Sequence, residues 1–264
     1  MNDTAAETTQ AAAEEYRAEA EECVRNNTGS AILFALGAGV AIGLIEPVVT
    51  KYENTIFAHL GNGVRISSPP PTAADGLNAY VSEVLLVGLI LVVVLAASAL
   101  TFDASQGRAI FLRTRVASSW QLLAPRVAVT TAAAAVAYLL GTLAAWYETS
   151  LLLGSLPATQ MLAGVLCGAV YLGFAVAVTA LAASLARSTI ATSGIAFMIL
   201  LILPVLGSVR VLARWLPSAL VNAPVGLVSR AHQLGYYWPA LVVAAAASAA
   251  ALAVATSRLN AREV

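Results

Sequence analysis

The chain has 264 residues, of which 59% are hydrophobic and only 11% charged, with a mean hydropathy of +0.82. Soluble domains carry an apolar share nearer one half, so this composition excludes an ordinary soluble domain and makes the bilayer the expected solvent. The formal net charge is zero, which implies no polyanionic partner and no nucleic acid.

Residues 1–29 open the chain with a polar segment. Thr4 and Glu7 have capping-box spacing, and the Ala/Glu-rich run after them predicts a helix that stops at Asn26-Asn27-Thr28-Gly29. Tyr16, Ala20, Cys23 and Val24 share one face, with Glu14, Glu15, Glu21, Glu22 and Arg25 elsewhere. That pattern fits a cytoplasmic amphipathic helix lying on the membrane surface or against a partner, the alternative being a solvated tail. No basic stretch precedes an apolar core, so the segment does not read as a secretory signal. Cys23 in this polar segment and Cys167 inside an apolar run suggest neither a disulfide nor a metal site.

The remainder reads as an all-α integral membrane domain over 30–257 with a cytoplasmic tail at 258–264. Runs without Asp, Glu, Lys or Arg predict six transmembrane helices of about 20 residues each, near 30–49, 80–101, 125–146, 161–186, 189–207 and 238–256. The first span is expected to end at Glu46-Pro47 and release a polar loop with Lys51, Arg65 and "SSPPPTAADG". Trp146 and Tyr147 look like interface anchors at the end of the third span. Gly39 with Gly43, and Gly164 with Gly168, have the GxxxG spacing that lets helices approach closely. "ARSTIATSG" makes a tight turn between the fourth and fifth spans. Residues 208–237 hold three arginines, Pro217 and Pro224 among short apolar clusters, which predicts two short interfacial or re-entrant helices on the outward side. With the N-terminus cytoplasmic, nine basic residues lie inside against five outside, so both termini are expected in the cytoplasm.

Several kinds of chemistry are missing. Lys51 is the only lysine and its surroundings form no phosphate loop. His59 and His232, the only histidines, fall in expected loops, which excludes bis-His haem ligation in a bundle and an H-E-x-x-H zinc site. Thr192-Ser193-Gly194 has no histidine in any span to activate its serine. The chain is therefore not expected to be an enzyme by itself or to hold a metal or cofactor. Glu46, Glu83, Glu148 and Arg126 fall at expected span ends, whereas an ion-coupled carrier more often shows a carboxylate near the midplane.

Charge gathers instead in "FDASQGRAIFLRTRVASSWQLLAPRV", residues 102–127, which put four arginines between the second and third spans. Asp103 is followed by Gln106-Gly107-Arg108, then Arg113, the run Arg115-Val116-Ala117-Ser118-Ser119-Trp120, and Arg126. Ser118 with Gln121 has capping-box spacing, restarting a helix with Trp120 at the interface. In this segment, and in its six-span plan with an interfacial N-terminal helix, nearly the whole chain resembles permease subunits of ABC-2 type transporters. The family's coupling segment often runs from an acid through Gly-Thr and a few apolar residues to a Pro-Val-Ser-Arg-like turn and a closing base. Arg108 stands where threonine is usual, Val116 where proline is, and Ser119 where arginine is.

The resemblance implies a mechanism. Two copies of a separate ATP-binding subunit, which would carry ATP and Mg, act on a short cytoplasmic helix near 105–114. There Asp103, Gln106, Arg108 and Arg113 meet the ATPase, and Ile110, Phe111 and Leu112 seat on the bundle. It also implies a second permease, identical or different, in the plasma membrane of a prokaryote, with cargo passing along faces of the first, second and fifth spans. The family's cargoes include drugs, antibiotics, other amphipathic molecules, lipids and polysaccharides. Two alternatives stay open: a non-transporting membrane scaffold or assembly factor that holds a partner through the basic loop, and an ion-coupled secondary carrier. The arginines would then only fix topology and bind anionic lipid headgroups.

Overall fold

The computed structural model describes residues 28–60, 70–101 and 119–261, and every regular element among them is helical. In chain order these are α1 (Thr28–Leu60), α2 (Ala73–Leu100), α3 (Ser119–Leu152), α4 (Ala158–Leu185), α5 (Thr189–Gly207), α6 (Arg210–Ala213), a 3-10 turn (Pro217–Leu220), α7 (Ala223–Val228) and α8 (Leu234–Ala261). Six of them, α1 to α5 and α8, are long and apolar enough to cross a membrane. The chain is thus a multi-pass membrane protein by length and composition. Large apolar side chains such as Leu33, Phe34, Leu166, Met198 and Val205 lie exposed on the outer faces, as lipid-facing residues must. The expected amphipathic helix at 1–27 and the tail beyond Ala261 lie outside the described residues.

Several helices are longer than the apolar runs alone indicate. α1 does not stop at Glu46-Pro47 but continues through Pro47 to Leu60, taking in Lys51 and His59, both expected in a loop. A proline removes one backbone donor, and a long helix packed along its length tolerates that loss. α2 starts seven residues before the expected Tyr80, because the Asp75 carboxylate closes its first turn. That carboxylate accepts from the Thr72 N–H at 2.7 Å and the Thr72 hydroxyl at 2.6 Å. α3 likewise begins at Ser119 and carries Pro125 in its second turn, and α8 carries Pro239 in the same way. Between α3 and α4 only 153–157 remain as a loop, turning at Gly154 with φ 123°, a conformation that disfavours any side chain. α5 keeps its expected bounds, since Ser188 caps it by accepting from the Ala191 N–H at 3.2 Å.

The second span is not a uniform α-helix. Residues Val84–Gly88 form a π turn between α-helical stretches Ala73–Glu83 and Leu89–Leu100. Such a turn takes in one extra residue. Leu77, Tyr80 and Val81 are buried before it, and Val92, Val93, Ala96 and Leu100 after it.

At the centre of the bundle is α4, which packs against α2, α3, α5, α7 and α8. Its sequence from Ala175 to Ala183 is mostly Ala and Val and nearly all buried, and small side chains on every face allow this many neighbours. Several hydroxyls inside the helices are satisfied locally, as where Thr179 donates to the Ala175 carbonyl at 2.8 Å and Thr142 to that of Tyr138 at 2.7 Å. The segment between the fifth and sixth spans holds three short helical turns rather than two. Pro217, Leu220, Ala223 and Pro224 are buried, so this part folds into the end of the bundle against α4 and α8.

Candidate functional site

The residues singled out by charge lie where α2 ends and α3 begins. Of these, Asp103, Gln106, Gly107, Arg108, Arg113 and Arg115 fall outside the described residues, and Trp120 and Arg126 are placed. α2 closes with the Thr101 hydroxyl donating to the Ala97 carbonyl at 2.6 Å. In the same last turn, the half-buried Arg126 reaches across from α3 and donates to the Ala99 carbonyl at 3.2 Å. A cation at the carbonyl end of a helix is favoured by the exposed carbonyls and the helix dipole. Arg126 thereby fastens the last turn of α2 to the second turn of α3. Trp120 is exposed, six residues before Arg126.

The four glycines sit at close contacts, with partners the sequence did not name. A Cβ on Gly39 would come 3.1 Å from the Ala137 carbonyl oxygen, and one on Gly43 would collide with the Gly141 carbonyl oxygen. Reciprocally, a Cβ on Gly141 would sit 2.6 Å from the Gly39 oxygen. α1 and α3 therefore meet backbone to backbone along Gly39, Gly43 and Gly141. Gly164 and Gly168 do not pair with another GxxxG. Pro224 of α7 lies on Gly164, and the Tyr138 ring lies on Gly168.

Above this seam a polar network crosses the apolar interior. The fully buried Tyr80 hydroxyl meets Thr142 Oγ1 at 3.2 Å and the Tyr138 carbonyl at 3.4 Å, joining α2 to α3. The hydroxyls of Thr149, Tyr171 and Thr192 are buried and find no hydrogen-bond partner among the described residues. Glu46 and Glu83 are not at helix ends, as the sequence had suggested. With α1 extended to Leu60 and α2 begun at Ala73, both lie within helices long and apolar enough to cross a membrane, close enough for their charges to interact. Glu148 does lie near the end of α3.

Among the described residues no group of three or more His, Cys, Asp or Glu side chains could hold a metal ion. His232 follows α7 and stacks on Tyr236 with centroids 4.0 Å apart, and Tyr237 fills the space beside Gly226. Tyr147 is exposed at the far end of α3, whereas Trp146, also expected as an anchor, packs partly against the core.

Three features escaped the sequence reading: Gly141, the Tyr80–Thr142–Tyr138 network, and the π turn at Val84–Gly88. A lone glycine in "YLLGTLAAW" and a tyrosine in an apolar span were the available signals for the first two. No family model matches the chain, and neither a curated protein nor a solved structure does.

Proposed function

We propose that this chain is the permease subunit of an ATP-driven exporter, moved by a separate ATP-hydrolysing subunit that docks on residues 103–126. The observation that supports this most is the tie between Arg126 and the Ala99 carbonyl. It fastens the last turn of α2 to the second turn of α3, so force applied to the arginine-rich segment between them would reach both spans at once. Six spans and an arginine-rich connection between the second and third agree with the ABC-2 permease plan. In this reading Asp103, Gln106, Arg108 and Arg113 meet the ATPase, ATP and Mg stay in that partner, and a second permease completes the path. The apolar spans favour an amphipathic or lipid-like cargo.

Co-purification tests the proposal. A phosphate-loop ATPase should travel with the chain in stoichiometric amount, and Arg108→Glu or Arg113→Glu should change its ATPase rate at unchanged expression. Absence of any such partner, or an ATPase rate indifferent to both substitutions, would overturn it. One observation favours the ion-coupled alternative: Glu46 and Glu83 lie within helices long and apolar enough to cross a membrane, and near each other. Cargo movement driven by an ion gradient in proteoliposomes without ATP would decide for the carrier.

A further inference from the structure

α2 is one helix with two sets of neighbours. Its first stretch, Ala73–Glu83, and its second, Leu89–Leu100, both touch α1 and α3; beyond these the first packs against α7 and the second against α4 and α5. The π turn Val84–Gly88 joins the two stretches, and none of its five residues is buried. Side chains on either side of it are locked into the interior while the turn itself is not, which is the pattern of a segment that opens more easily than its surroundings. The two stretches are also held unequally. Leu89, Val92, Val93, Ala96, Ala97 and Leu100 are buried in the second, whose last turn is further tied by Arg126 at the Ala99 carbonyl. In the first the polar tie is the Tyr80 hydroxyl, at 3.2 and 3.4 Å from its partners, longer than the about 2.8 Å usual for such a bond.

A joint inside a bilayer must bend without leaving a backbone donor unpaired. The π turn meets that condition, because the Leu89 N–H donates to the Val84 carbonyl, five residues back, and bending can pass such a donor to the neighbouring carbonyl four back rather than to nothing. Gly88 closes the turn, and a Cβ there would meet the Val84 side chain of the same turn at 3.4 Å and no other helix within 4 Å. This glycine therefore admits no neighbour, and what it contributes is backbone freedom. We infer that Val84–Gly88 is a hinge about which the first stretch of α2 swings while the second stays fixed against α4 and α5. One end of the bundle can then widen while the other keeps its packing. The hinge needs neither an ATPase nor an ion gradient, so it stands or falls apart from the transport reading.

The test is pulsed electron–electron double resonance on the full chain in lipid nanodiscs, with Cys23→Ser and Cys167→Ala removing the native thiols. Spin labels go on exposed positions: 78 and 162 at the end of the bundle where α2 begins, and 98 and 190 at the end where it finishes. Position 78 lies about 12 Å along the helix from the middle of the turn, so a swing of about 20° displaces it by about 4 Å. The 78–162 distances should spread more widely than the 98–190 distances by about that amount. Deleting Leu86 removes the extra residue of the turn and should narrow the 78–162 spread to that of 98–190. Gly88→Ala, which adds a methyl where no other helix is met, should narrow it in part and decides the matter if the deletion fails to fold. Equal spreads for the two pairs in the wild-type sequence overturn the hinge. So does a 78–162 spread that neither variant narrows.

Discussion

Gly141→Ala is the most direct challenge to the contact between α1 and α3. The added methyl would sit 2.6 Å from the Gly39 carbonyl oxygen and 2.7 Å from the Tyr80 hydroxyl, where ordinary contact begins at 3.4 Å. The obstruction on one side is helix backbone, which cannot rotate away, so the helices must separate by several tenths of an ångström. Overpacking of this kind costs about 1–3 kcal/mol. Displacing Tyr80 from Thr142 removes a buried hydrogen bond worth about 1 kcal/mol, for a total of roughly 2–4 kcal/mol. Gly37→Ala is the control, since nothing lies within 4 Å of a Cβ there, and its effect should stay within about 1 kcal/mol. Both can be measured by titrating the detergent-solubilised protein with SDS and following tryptophan fluorescence. Equal stability of Gly141→Ala and wild type, or equal loss in the two variants, would refute the backbone contact.

Two further substitutions test local geometry. Ser188→Ala deletes the cap on the Ala191 N–H and should cost about 1 kcal/mol in the same titration, with Ser188→Asp recovering most of it. Gly154→Ala places a side chain at φ 123° with open space around it. Any loss, expected at about 1–3 kcal/mol, is therefore backbone strain, and Gly154→Asn should lose less than Gly154→Val.

The sequence was most legible where hydrophobicity decides the outcome. The six spans and the extent of the fifth follow from uncharged runs and a serine cap, because burying twenty apolar residues outweighs local preference. Helix ends were less legible. Pro47, Pro125 and Pro239 look like boundaries in a string of letters, yet each lies inside a helix whose packing supports it. Reading Pro47 as an end also put Glu46 at the end of a helix that in fact continues past it to Leu60. At the glycines the spacing pointed to close approach but could not give the partner, since Gly43 meets an isolated Gly141 and Gly164 meets Pro224 of a short helix. Pairing depends on which helices become neighbours, and that is fixed by the whole bundle. Of the candidate coupling residues only Trp120 and Arg126 lie in the described part, and the bond from Arg126 to Ala99 spans 27 positions of sequence.

The π turn in α2 bears on how that span tolerates changes in length. Each residue of an α-helix advances about 100°. In an unbroken helix Val92, Ala96 and Leu100 would face roughly 100° away from Leu77, Tyr80 and Val81. The surplus residue in Val84–Gly88 unwinds that offset and returns both sets to the interior, where all six are buried. The span therefore behaves as an α-helix carrying a one-residue insertion that the bundle has absorbed. Deleting the exposed Leu86 would let the turn revert to α while leaving both buried stripes in phase. Deleting Val94, also exposed but beyond the turn, would swing Ala96 and Leu100 out of the core.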